Sequence, residues 1–122
     1  AHDGLWQTAW DTRHDVLARL ALIPMVLEAR GLDVSPATIE RLTRMGDARS
    51  ASILNRIYMD EIRHVGVGSK WFSNLCESQG LASVAHWKSL VRTHFSGPLK
   101  PPFNDSARSQ AGLTREYYTE LA

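Results

Sequence analysis

Cysteine is nearly missing from this sequence: Cys76 stands alone among 122 residues. A single thiol excludes an intrachain disulfide and a zinc site built on cysteines, and it fits a reducing, cytoplasmic compartment. An excess of one charge is missing too. Fourteen Lys and Arg against thirteen Asp and Glu leave a formal charge of +1, so nucleic acid is not the expected partner, although local basic patches are compatible with these numbers. No apolar run reaches membrane-spanning length and no signal peptide is visible, so no membrane partner is expected. Alternating strand patterns, internal repeats and low-complexity tracts are also lacking.

What remains is ordinary globular material, 43% hydrophobic and 22% charged, enough for one helical domain over 1–122 with a single core. The chain begins with Ala1 rather than Met and enters a structured-looking segment almost at once, which suggests processing, a cloning boundary or a fragment. Gly, Pro and capping residues divide it into helices. A first long helix is expected over about 6–30, with Leu17, Leu20, Ala21, Pro24, Met25 and Leu27 on its apolar face and Gly31 as its stop. Pro24 inside it removes a backbone donor and crowds the Leu20 carbonyl, so a kink or break is expected there. Ser35 and Pro36 read as the start of a short helix reaching Met45 and closing at Gly46. Asp47 then caps the second long helix, about 48–72. Beyond a break at Gln79-Gly80, Ser83 caps a helix carrying Val84, Trp87, Val91 and Phe95, and a proline-rich loop leads to a short helix capped by Asn104. One or two further turns are expected between Thr114 and Leu121. Short helices and loop thus fill 80–122, and the class is all-α.

The chemistry lies where the apolar stripes are interrupted. On the second long helix the stripe runs through 53, 54, 57, 58, 61, 64, 65 and 68, which puts Glu61 and His64 on the face expected to be buried. An unpartnered ionised carboxylate costs several kcal/mol, as an order of magnitude, to bury. Glu-x-x-His spacing sets both side chains on adjacent turns of one face, where they can ligate one metal or two bridged ones. Glu28 interrupts the apolar face of the first long helix in the same way.

These residues carry a family resemblance. LALIPMVLEARGLD at 20–33 and YMDEIRHV at 58–65 resemble the second half of a ferritin-like family of unknown function, as do HDGLW at 2–6 and PLKPPFNDSARSQAG from Pro98. The resemblance implies a ferritin-like bundle and a di-metal carboxylate site, with Glu28, Glu61 and His64 as metal ligands and iron or manganese as the cofactor. Ferritin-like proteins include oxidases, a tRNA hydroxylase and iron-storage or peroxide-reducing proteins, so it does not choose a substrate. A full bundle of this kind takes one Glu from each of two helices and Glu-x-x-His from each of two others. This sequence has one of each, which implies half a bundle, completed by a second copy across a two-fold axis or by a preceding N-terminal half. The functional classes that follow are an oxygen-dependent di-iron or di-manganese oxidase or hydroxylase, a metal-binding module without turnover, and a helical interaction domain with a vestigial site.

Other residues read more plainly. His14 lies fourteen residues from Glu28, about 21 Å along a helix and too far for one site, and is expected to pack or cap. Tyr58 is expected in the core, although it could also hydrogen-bond a ligand. Gly66 and Gly68 either permit close helix approach or weaken the helix end. His2, His86 and His94 are expected at or near the surface. Trp6, Trp10, Trp71 and Trp87 are expected as core anchors, and Arg19, Arg30, Arg41 and Arg44 as solvated or paired with nearby acids.

Overall fold

The computed structural model describes residues 4–122; His2 and the start of the HDGLW motif lie outside them. Among the described residues there is no strand. Helix α1 (Gly4–Asp11) and helix α2 (Val16–Leu22) are followed by a π-helical segment (Ile23–Glu28), which continues into α3 (Ala29–Arg44). A tight turn leads to the 31-residue α4 (Ala48–Ser78). Helices α5 (Ser83–His94), α6 (Asp105–Gln110) and α7 (Arg115–Tyr118) follow, and a 3₁₀ turn (Thr119–Leu121) ends the chain.

Three expected boundaries change. The helix expected over 6–30 is broken between Asp11 and Val16, because the Asp15 carboxylate accepts from Ala18 N at 3.1 Å and starts a new helix. His14 sits exposed in that break rather than packed. Helix α3 runs through both Gly31 and Pro36, where a stop and a fresh start were expected. Gly31 does not adopt the left-handed conformation that would end a helix. The cost of Pro36 is met from a distance: it cannot donate to Leu32 O, and the Asn104 side-chain amide donates there instead, at 3.0 Å. Helix α4 outlasts its expected end near 72 because Phe72 and Cys76 continue its buried flank.

Other readings hold. Asp47 caps α4 by accepting from Ser50 N, and Asn104 caps α6 by accepting from Ala107 N. Gly46, at φ 83°, closes the turn between α3 and α4 in a conformation open to glycine. Ser83 does not cap α5 as expected: it is the first helical residue, and Ala82 occupies the cap with no side-chain hydrogen bond. Pro24 disturbs its helix as expected, in the form of a π turn in which Ala29 N donates five residues back to Pro24 O.

The rod formed by α2, the π segment and α3 packs along α4, and α3 with α4 makes the most extensive helix pairing. Helix α5 lies on α2, α7 on α5, and α6 against α3 and α4. Met25, Leu32, Val65, Phe72, Trp87, Leu113 and Tyr118 fill the core. Trp87 is the one tryptophan that anchors it, with its indole N–H donating to Ala21 O at 3.1 Å. Trp6 and Trp10, on α1, which has no buried residue, and Trp71, on the open flank of α4, are instead 57–79% exposed. No helix among the described residues is long and apolar enough to cross a membrane.

Close approach settles the role of Gly68. A Cβ placed there would lie 2.5 Å from Pro24 Cγ and 2.6 Å from Pro24 Cβ. Gly68→Ala should therefore destabilise the chain by about 1–2 kcal/mol, overpacking outweighing the roughly 1 kcal/mol gain in helix propensity. Asn104→Ala removes a cap and the donor to Leu32 O together, and should cost about 2–3 kcal/mol. Urea midpoints of the two variants against the parent chain check both values.

Candidate metal centre

The π segment determines where Glu28 points. A π turn inserts one residue into the helical count and rotates everything after it by roughly 100° relative to an uninterrupted helix. Glu28 is the last residue of that turn, and the rod carries it half-buried beside α4. Burial pushes its carboxyl above the ordinary value of 4.5, the Glu61 charge adds to the rise, and His64 opposes it. Glu28 is thus electrostatically coupled to Glu61 and His64, across the packing of the π segment on α4.

Glu61 and His64 are in direct contact. His64 Nδ1 lies 2.9 Å from Glu61 Oε1, at a spacing of three residues on α4. If Nδ1 carries the proton, Nε2 is the ring nitrogen left to bind, held in orientation by the carboxylate. The pair is less enclosed than the stripe suggested: 27% of the Glu61 side chain and 62% of the His64 side chain are exposed. The rod and the C-terminal helices bury only the flank of α4 that carries Val65, Phe72 and Cys76. The other flank stays open, and Ile53, Ile57, His64 and Trp71 recur along it at intervals of four and seven residues. Among the described residues, no three His, Cys, Asp or Glu side chains converge closely enough to hold an ion by themselves.

Asp60 and Arg63 pair with each other on the exposed side of α4. Tyr58 belongs to the architecture, its hydroxyl accepting from the Asn104 side-chain amide at 2.8 Å. His86 stacks on Phe72 at 6.2 Å between ring centroids, and His94 is exposed. Arg19 donates to Ala9 O, and Arg30 to Lys100 O.

Sequence reasoning missed the buried pair of Asp33 and Arg108. Arg108 Nε and Nη2 donate to the two carboxylate oxygens at 2.8 and 2.7 Å, with 4% and 1% of the two side chains exposed. The guanidinium also lies over the rings of Phe103 and Tyr118. Asp33 Oδ1 accepts from Asn104 N as well, so one carboxylate gathers α3 and the start of α6. The available signal was Pro36, whose presence in a helix leaves the Leu32 carbonyl in need of a donor from elsewhere.

The raised Glu28 value sets a pH dependence. Folding favours the protonated carboxyl, so the stability this group contributes is present below 4.5 and is lost as pH rises through its higher folded value. Glu28→Gln should accordingly raise the melting temperature of the metal-free chain at neutral pH. The gain should vanish in acid, and thermal scans of both proteins across pH 3.5–7.5 measure it.

Comparison with known proteins gives this geometry a family. No solved structure matches the chain. A curated relative from Haemophilus influenzae, which carries the name "Uncharacterized protein", is 40% identical over 115 residues, covering 94% of this chain. The chain spans about two fifths of that relative's length, the match covering 40% of it. The family described as "Protein of unknown function (DUF455)" matches residues 1–119, and the chain belongs to that family.

Proposed function

We propose that this chain supplies half of a carboxylate-and-histidine metal site of the ferritin-like kind, with Glu28, Glu61 and His64 as its donors and iron or manganese as the metal. The observation that carries this reading is the Glu61–His64 contact on α4, electrostatically coupled to the Glu28 carboxyl and set beside an uncovered apolar strip. The donors suit the metal. Two carboxylates and an imidazole make a mixed oxygen and nitrogen set of the kind that iron and manganese accept. Glu61 positions the imidazole through Nδ1, and Glu28 and Glu61 bring two negative charges close together, an arrangement that costs free energy without a cation between them.

A matching half-bundle completes the set, either from a second copy or from the additional length that the Haemophilus relative possesses. The open strip of Ile53, Ile57 and Trp71 is the surface it would cover. When bound, a pair of such metals supplies oxygen-dependent oxidation, the chemistry of an oxidase or hydroxylase. The residues of this chain hold the donors in place, and a covering half would exclude water from them.

A specific observation favours a second reading: one chain brings no three donors to a common point among the described residues. On that reading the protein is a helical packing module whose donors no longer bind. Metal analysis of untagged protein after anaerobic reconstitution with iron or manganese, together with light scattering, separates the two. A shared site predicts about one metal per chain in a dimer, and its loss in Glu61→Ala and in His64→Ala. Retention of metal by both variants, or no metal in the parent protein either alone or together with the remaining length of the longer relative, would overturn the metal reading. A monomer that holds no metal alone but gains it with the rest of the longer relative would assign completion to the missing half.

A further inference from the structure

A cavity of about 520 Å³ opens between the helical rod and the loop that joins α5 to α6. None of Glu28, Glu61 and His64 lines it. Its volume falls within the roughly 300–1,000 Å³ range of small-molecule sites. Leu27, Phe95, Leu99 and Phe103 give it apolar walls, and Arg30, Lys100 and Arg108 face it together with one carboxylate, Asp33.

That carboxylate is already committed. Arg108 takes both its oxygens, and Arg30 Nη1 lies 3.8 Å from Oδ2. The lining therefore holds three cations against one anion, and the excess resides on Arg30 and Lys100. Among the described residues the Lys100 ammonium has no ion-pair partner. Arg30 is held against the loop by its hydrogen bond to Lys100 O at 2.8 Å, while 42% of its side chain stays exposed. Arg108 is neutralised by Asp33, and its unpartnered Nη1 is buried, so the accessible positive charge is that of Arg30 and Lys100. The loop is tied down independently by Leu99 N donating to Leu121 O at 2.7 Å, which keeps the cavity formed before anything enters and lowers the ordering cost of binding.

We infer that this cavity binds a small organic carboxylate, its apolar body against Leu27, Phe95, Leu99 and Phe103 and its anionic end at Arg30 and Lys100. An inorganic anion would leave the apolar walls without contact, and a neutral molecule would leave the excess positive charge unanswered. The inference is independent of the metal reading, since it uses none of the proposed donors.

The test uses the full ¹⁵N-labelled chain and three probes: 1-naphthoate, the neutral 1-naphthalenemethanol with the same ring body, and inorganic phosphate. Naphthoate should give saturable amide shifts centred on Leu27, Arg30, Ser96, Leu99 and Lys100. The alcohol should bind at least about tenfold more weakly, as expected for loss of charge-assisted hydrogen bonds, and phosphate should not saturate. Lys100→Gln, a change at an exposed side chain, should weaken naphthoate by about threefold, and Arg30→Gln by about tenfold. Lys100→Gln leaves the loop's backbone anchors in place and so keeps the test valid if Arg30→Gln loosens the loop. Equal binding of alcohol and carboxylate, shifts centred on Trp6, Trp10 and Trp71, or a Lys100→Gln variant that binds like the parent would each overturn the assignment.

Discussion

A proline inside a helix leaves a carbonyl without its usual donor, and the rod that packs on α4 contains two such prolines. The rest of the structure can be followed from how each is accommodated. At Pro24 the helix widens into a π turn, and Gly68 on α4 omits a side chain so that the ring can approach. The widened turn changes the register of every later residue, and Glu28 is the residue that ends it. At Pro36 the helix stays regular and Asn104 supplies the missing donor from more than seventy residues away. The same amide reaches Tyr58 on α4, so repairing one carbonyl also docks the C-terminal segment onto both long helices.

The Asp33–Arg108 pair gains from this docking. A buried ion pair is worth little until its remaining hydrogen-bonding capacity is met, and removing one partner costs about 3–5 kcal/mol because the other charge is stranded. Asp33 is well satisfied, with two bonds from Arg108 and one from the Asn104 backbone. Arg108 is satisfied less completely: its Nη1 has no acceptor, and the faces of Phe103 and Tyr118 flank the guanidinium instead. Tyr118 in turn donates to Asp105, and burial, followed by that hydrogen bond and the Asp105 charge, pushes the phenol far above its ordinary value. The chain of contacts runs from α3 through α6 to α7, and it holds the short helices over one side of the long pair.

What the sequence made legible was local. Asp47 and Asn104 were recognisable as caps because a side-chain oxygen three residues before a helical N–H is a short-range device. Pro24 was recognisable as a disturbance, whereas the stripe through Ile53, Ile57 and His64 that was expected to be buried lies exposed. What escaped was set by partners distant in sequence. Gly31 and Pro36 looked like punctuation because, judged by neighbours alone, they oppose a helix; Asn104 and the packing along α4 override them. The tryptophans misled for a related reason. Trp6, Trp10 and Trp71 have the composition of core residues, but whether such a side chain is buried depends on what covers it, and the described chain leaves that side open.

That open side also bears on the proposed site. Glu28 already disfavours its charged form while part of its surroundings is still water, and Glu61 adds like charge to the same place. A half-bundle laid over Ile53, Ile57 and Trp71 would gain free energy from apolar burial, but it would also strip water from Glu61 and His64 and cost the desolvation of their charge. Apolar association and the carboxylates therefore pull against each other in the absence of a cation. A divalent cation reverses the sign of that conflict, because dehydration then strengthens its attraction to the same two carboxylates. On the proposed reading, covering the strip and loading the metal are linked equilibria, each raising the affinity of the other. On that reading, an exposed His64 and a raised Glu28 carboxyl are what the chain shows without its partner.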